Sequence, residues 1–92
     1  MPEKNKAYAI GYSQDEPAPK ILAGGEGKKA EMILQIAREN GIPIHEDRDI
    51  IKVLEVLGDG SFIPEELYRA FAALLASLYA ASKTMMGYSN GR

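Results

Sequence analysis

Three short stretches of the sequence carry residue types that could do chemistry. In His45-Glu46-Asp47-Arg48-Asp49 the single histidine of the chain stands among carboxylates. As metal ligands, His45, Glu46, Asp47 and Asp49 would form a hard, mostly oxygen donor set. Neighbouring residues at a strand end point to opposite faces, however, so this spacing favours a solvated strand end followed by a helix cap. As a general base His45 lacks a nucleophile, because Ser13, Ser61 and Ser77 sit in no nucleophile-elbow context.

The second stretch, Gly25-Glu26-Gly27-Lys28-Lys29-Ala30, matches the G-x-G-x-x-A fingerprint of dinucleotide-binding turns. It follows an expected strand and opens an expected helix. Glu46 ends the next strand near the place, about 20 residues on, where such a fold binds ribose. Against this, Glu26 puts a negative charge inside the phosphate loop, and the chain supplies about three strands where the dinucleotide fold uses two βαβαβ halves. A glycine-rich strand-to-helix turn is the plainer reading, with nucleotide binding through Gly25, Gly27 and Ala30 as the alternative. A P-loop is excluded, since neither Lys28 nor Lys29 completes G-x-x-x-x-G-K-[ST]. The third stretch, Lys4-Asn5-Lys6-Ala7, acquires meaning only from the resemblance described below.

Composition narrows the field further. A chain of 92 residues, 46% hydrophobic and 26% charged, is one small domain expected to bury only about 60% of the surface its unfolded form exposes. With 11 Lys and Arg against 13 Asp and Glu, the net charge of -2 lacks the basic excess that phosphate-backbone binding needs, so no nucleic-acid partner is expected. The absence of cysteine removes disulfides, thiolate zinc sites and cysteine nucleophiles, and no cofactor or metal is expected. Met1 opens a polar stretch with no apolar core behind it, unlike a secretory signal. The most apolar window, Ala70 to Ala81, falls short of the roughly 20 residues of a membrane span. A soluble, cytoplasmic protein without direct membrane insertion is expected.

The elements that must position these residues follow from periodicity. Ala7 to Tyr12 and Lys20 to Ala23 read as two strands joined by the proline-containing loop Ser13 to Pro19, a hairpin ended by Gly24 to Gly27. Lys28 to Asn40 is a helix with Ala30, Ile33, Leu34 and Ala37 on one face, stopped by Asn40-Gly41. Ile42 to His45 is a third strand, parallel to the second through a right-handed crossover. Asp47 or Asp49 caps a helix over Ile50 to Leu57, and Pro64-Glu65-Glu66 opens the last helix, with Leu67, Phe71, Leu74, Leu75 and Leu78 inward. The expected fold is therefore α/β, a small mixed sheet of about three strands packed with three helices in the order β-β-α-β-α-α. Residues 1–6 read as a flexible N-terminus, 7–81 as the domain and 82–92 as a flexible tail. Ala70, Ala72, Ala73 and Ala76 are small enough to admit another segment closely, and Ala18-Pro19 in an exposed loop is not core filling.

Taken together, Tyr8-Ala9-Ile10, Ala18-Pro19-Lys20-Ile21-Leu22-Ala23, Ile36-Ala37-Arg38-Glu39-Asn40-Gly41-Ile42-Pro43-Ile44 and Ile63-Pro64-Glu65-Glu66-Leu67-Tyr68 with its alanine-rich continuation resemble the cytoplasmic C-terminal domain of the FlhB/YscU family. These are the substrate-specificity switch proteins of flagellar and virulence type III export. The resemblance runs from about Tyr8 to Tyr79 and implies a protein-interaction module, docking export substrates, the hook-length control protein or components of the membrane export gate. It implies a docking patch at Ala18, Pro19, Ala72 and Leu75. A proline beside alanine offers apolar contact with little ordering entropy, which suits transient binding.

Family members cut themselves within an Asn-Pro-Thr-His motif just before the strand matching Tyr8 onward. Here the matching stretch is Lys4-Asn5-Lys6-Ala7: the cyclising Asn is Lys, and Asn5 stands one place off. The resemblance thus implies a stand-alone, FlhB-like paralogue that does not cleave itself, lacks the strand preceding the motif, and works at the inner face of the membrane. Arg48-Asp49, where the family often has two prolines, and an altered Gly58 to Phe62 connection put the backbone around the second helix in question.

Overall fold

The structure is a computed structural model and describes residues 5–13, 15–81 and 86–89. Strands β1 (Lys6–Gly11) and β2 (Lys20–Glu26) are followed by helix α1 (Lys28–Glu39), strand β3 (Ile44–Glu46), helix α2 (Arg48–Leu57), a 3-10 turn (Glu65–Leu67), helix α3 (Ala72–Ala81) and strand β4 (Met86–Ser89). The expected β-β-α-β-α-α order is present, followed by one further strand.

Among the described residues the sheet has the order β2-β1-β4-β3. β1 pairs antiparallel with both β2 and β4, and β4 pairs parallel with β3. β2 and β3 therefore run parallel, as a βαβ unit requires, but with β1 and β4 between them. Met86–Ser89, assigned to the tail on sequence, lie inside the sheet; residues 82–85 and 90–92 are outside the described residues, as are residues 1–4.

Alternation along β1 divides the molecule into two layers around the sheet. Ala7 packs with Ala30 and Leu34 of α1 on one face. Tyr8 and Ile10 join Ile21, α2 residues Ile50, Ile51 and Leu54, and α3 residues Leu74, Leu75 and Leu78 on the other. A bulge in β2 keeps this sidedness: Ala9 pairs with Ala23 but Ile10 pairs with Ile21. Leu22 is thereby skipped and left 43% exposed, while Ile21 is fully buried.

β2 is longer than its propensities suggest, continuing through Gly24 and Gly25 where a turn was expected. The reason lies across the ladder. Gly24 pairs with Tyr8, and any Cβ there would overlap the Tyr8 ring; the ring lies on the bare glycine backbone. A Cβ on Gly25 would come within 2.5 Å of Cδ of Lys29.

The helix ends follow local rules. At the end of α1, Gly41 has φ 65°, and the Ile42 and Gly41 N–H groups donate to the Ala37 and Arg38 carbonyls at 2.8 and 3.3 Å. That is the paired pattern a left-handed glycine makes possible. Of the two candidate caps for α2, Asp47 is the one used: its Oδ1 accepts from the Asp49 and Ile50 N–H groups at 3.0 and 3.1 Å. Arg48 and Asp49 form the first turn of a regular helix, so the backbone in question there is helical. Asp47→Ala is expected to lower stability by about 1 kcal/mol, read as a shifted urea midpoint.

The last helix is not continuous from Pro64. Leu67 and Tyr68 N–H groups donate to the Pro64 and Glu65 carbonyls at 3.0 Å each, the tighter spacing of a 3-10 turn, and the α-helix starts only at Ala72.

Candidate functional site

The Ser13–Pro19 loop between β1 and β2 is tied to the α3 side of the molecule at both ends. At its entrance, the Tyr12 and Tyr79 rings meet edge to face, with centroids 5.1 Å apart at 79°, an arrangement favourable beyond simple burial. At its exit the Pro19 carbonyl accepts the Ile63 N–H at 2.8 Å, and Ile21 exchanges bonds with Ser61 and Gly60, each at 2.8 Å. The 60–63 segment thus runs along the outer side of β2 and satisfies backbone groups that an edge strand would otherwise expose. Lys20 is held at the loop exit by Glu16 at 3.7 Å and lies 5.6 Å from the Phe62 ring centroid.

The four residues of the implied patch divide into two kinds. Pro19 is fully buried, and Leu75 is 4% exposed in the apolar cluster that holds Ile21 and Ile63. Ala18 is half-buried and Ala72 exposed, with Ala73 and Ala76 also exposed on α3. A partner on this side would meet the alanines, while Pro19 and Leu75 hold the backbone beneath. One apolar feature lies off the expected stripe: Val56 is 86% exposed and borders an open hollow with Lys52, Val53, Leu57 and Leu67. Its signal in the sequence is an apolar residue out of phase with Ile50, Val53, Leu54 and Leu57.

The other candidate residues are engaged in structure. Gly25 lies within β2, paired with Ala7, and not in a phosphate-binding turn. The Gly27 N–H, at the start of α1, donates to the Asn5 carbonyl at 2.9 Å. β3 is separated from β2 by two strands, so Glu46 does not sit beside the β2–α1 turn as a ribose-binding acid would. Asp47 is committed to its cap, and among the described residues no three His, Asp or Glu side chains gather as metal ligands.

At the position matching the family's cleavage motif, Lys4 lies outside the described residues. Lys6 opens β1 and pairs with Glu55 of α2 at 2.8 Å, and Ala7 is fully buried. Tyr8 beside them has its phenol pushed above the ordinary tyrosine value, chiefly by burial and then by the Glu55 and Asp59 carboxylates. No helix among the described residues is long and apolar enough to cross a membrane.

The described residues form a small α/β domain with α1 on one face of the sheet and α2 and α3 on the other. The chain belongs to the FlhB HrpN YscU SpaS family, whose model matches residues 4–78. It is similar to the uncharacterized protein YlqH of Bacillus subtilis, 33% identical over 81 residues that cover 87% of each chain. It is also similar to the flagellar biosynthetic protein FlhB of Buchnera aphidicola, 36% identical over 80 residues, and to the secretion system apparatus protein SsaU of Salmonella typhimurium, 37% identical over 71. The matches take up 83% and 75% of this chain but only 21% and 20% of those two relatives. No solved structure matches. Membership of this family supports a role in flagellar or type III protein export.

Proposed function

We propose that this chain is a non-enzymatic docking module of protein export, which binds export substrates, the hook-length control protein or components of the export gate at the inner face of the membrane. The family match over residues 4–78 is the observation that carries this reading. The surface is Ala18 together with Ala72 and the neighbouring alanines, supported from below by Pro19 and Leu75. Small apolar side chains on a backbone held at both ends of the loop lose little entropy on binding, which fits brief contact with many cargoes.

Titration with a purified export substrate tests the surface. Ala18→Asp and Ala72→Asp are each expected to weaken binding at least tenfold, about 1.4 kcal/mol, with an unchanged unfolding midpoint. Unchanged affinity in both variants contradicts the assignment. Leu75→Asp is unsuitable, because a charge at that buried position reports on folding.

The same reading holds that the chain does not cleave itself, since Lys4-Asn5-Lys6-Ala7 replaces the family's motif. Prolonged incubation of the purified chain is expected to leave one intact mass; fragments split within residues 4–7 would refute this.

A further inference from the structure

The end of α1 carries a peptide bond with chemistry of its own. Asn40 is followed by Gly41, and both are exposed. In an Asn-Gly pair no Cβ shields the glycine nitrogen, which can attack the preceding side-chain carboxamide. A bond forms from the Gly41 nitrogen to Asn40 Cγ and the Cγ–Nδ2 bond breaks. The Gly41 amide proton goes to Nδ2, which leaves as ammonia, and a five-membered succinimide remains. Water then opens the ring at one carbonyl or the other, giving aspartate or isoaspartate.

The same glycine ends the helix. Gly41 takes φ 65°, a conformation costly for residues with a Cβ, so the backbone's need for glycine creates the reactive pair. The fold holds the reacting atoms apart. Asn40 Nδ2 donates to the Ile36 carbonyl at 2.8 Å, folding the carboxamide back over the last turn. Asn40 has ψ 9°, which nearly eclipses the Gly41 nitrogen with the nitrogen of Asn40 itself; ring closure needs it eclipsed with Cβ. That rotation would pull the Gly41 and Ile42 N–H groups from the Arg38 and Ala37 carbonyls. Ile42, packed against the main apolar cluster, resists it.

We propose that Asn40 is a latent deamidation site, closed in the folded chain by the α1 cap and opened when that end of the helix unwinds. Its conversion then follows the population of the opened state. Aspartate puts a carboxylate at the negative end of the helix dipole, and isoaspartate adds a backbone methylene between α1 and β3. Either product weakens the cap that kept the site closed.

The full-length chain is incubated in mildly alkaline buffer, with and without urea beyond its unfolding midpoint. Peptide mapping that resolves isoaspartate follows Asn40 separately from the second such pair, Asn90-Gly91. Conversion at Asn40 is expected to be about tenfold or more faster in urea. Ile42→Ala, which removes the apolar anchor of the cap, is expected to speed conversion in buffer beyond what its globally unfolded fraction, read by circular dichroism, accounts for. Its rate in urea should be unchanged. Equal rates for the unsubstituted chain in buffer and in urea overturn the proposal, as does a failure of Asn40 to convert in urea. A rate for Ile42→Ala in buffer that is unchanged, or explained by global unfolding, also overturns it, because the protection then does not come from the cap.

Discussion

Gly24→Ala should lower the stability of the domain by about 3 kcal/mol, although it adds one methyl group to a strand at the edge of the sheet. Alanine normally suits a strand interior better than glycine by roughly 0.5–1 kcal/mol, so a propensity argument predicts the opposite sign. The geometry decides otherwise. A Cβ on Gly24 would overlap the Tyr8 ring, and that ring is 9% exposed in the main apolar cluster, with little room to withdraw. Urea unfolding measures the loss. A double-mutant cycle isolates its cause: in a Tyr8→Ala background the Gly24→Ala change should be close to neutral, and the coupling between the two sites should account for most of the 3 kcal/mol. An equal cost in both backgrounds would show that the strand, and not the ring, demands glycine.

Phe71→Ala is expected to have a still larger effect, about 4 kcal/mol. Phe71 is 1% exposed and sits where the 3-10 turn gives way to α3, its N–H donating to the Leu67 carbonyl and its own carbonyl accepting from Leu75. The ring fills the cluster shared by β1, β2, α2 and α3, so its removal leaves a cavity that several elements border and none can close alone. Small domains have roughly 5–15 kcal/mol in total, so the variant should be partly unfolded at moderate temperature. Ala72→Asp, one residue along but exposed, should change stability by no more than about 0.5 kcal/mol. This contrast between adjacent positions checks the register of α3 independently of any binding measurement.

Local chemistry made much of this molecule legible. The apolar stripe of α1 and its Asn40-Gly41 stop are decided within a few residues of chain and stand where the local pattern puts them. The α2 cap was narrowed only to Asp47 or Asp49, and Asp47 takes it with the helix starting at Arg48. Features set by distant partners were not legible. The passage of β2 through Gly24 depends on an aromatic ring in β1. The bulge at Leu22 depends on keeping Ile21 inward, and β4, only four residues long, takes its place from two strands far away in sequence. The resemblance names Ala18, Pro19, Ala72 and Leu75 together, but not their division into two buried and two accessible positions. Whether Pro19 and Leu75 face a partner or support one depends on the 60–63 segment and on the cluster beneath, neither visible in the residues themselves.

The central claim is that the alanine face of α3, with the loop beside it, is where partners dock. Site-specific photo-crosslinking tests it most directly. The full-length chain carries a photoreactive residue in place of Ala72 in one preparation and in place of Met32 in another. Met32 is 61% exposed on α1, across the sheet from α3. On irradiation with a purified export substrate, position 72 is expected to give a covalent adduct and position 32 none. Adducts at position 32 alone, or equally at both, would contradict the account.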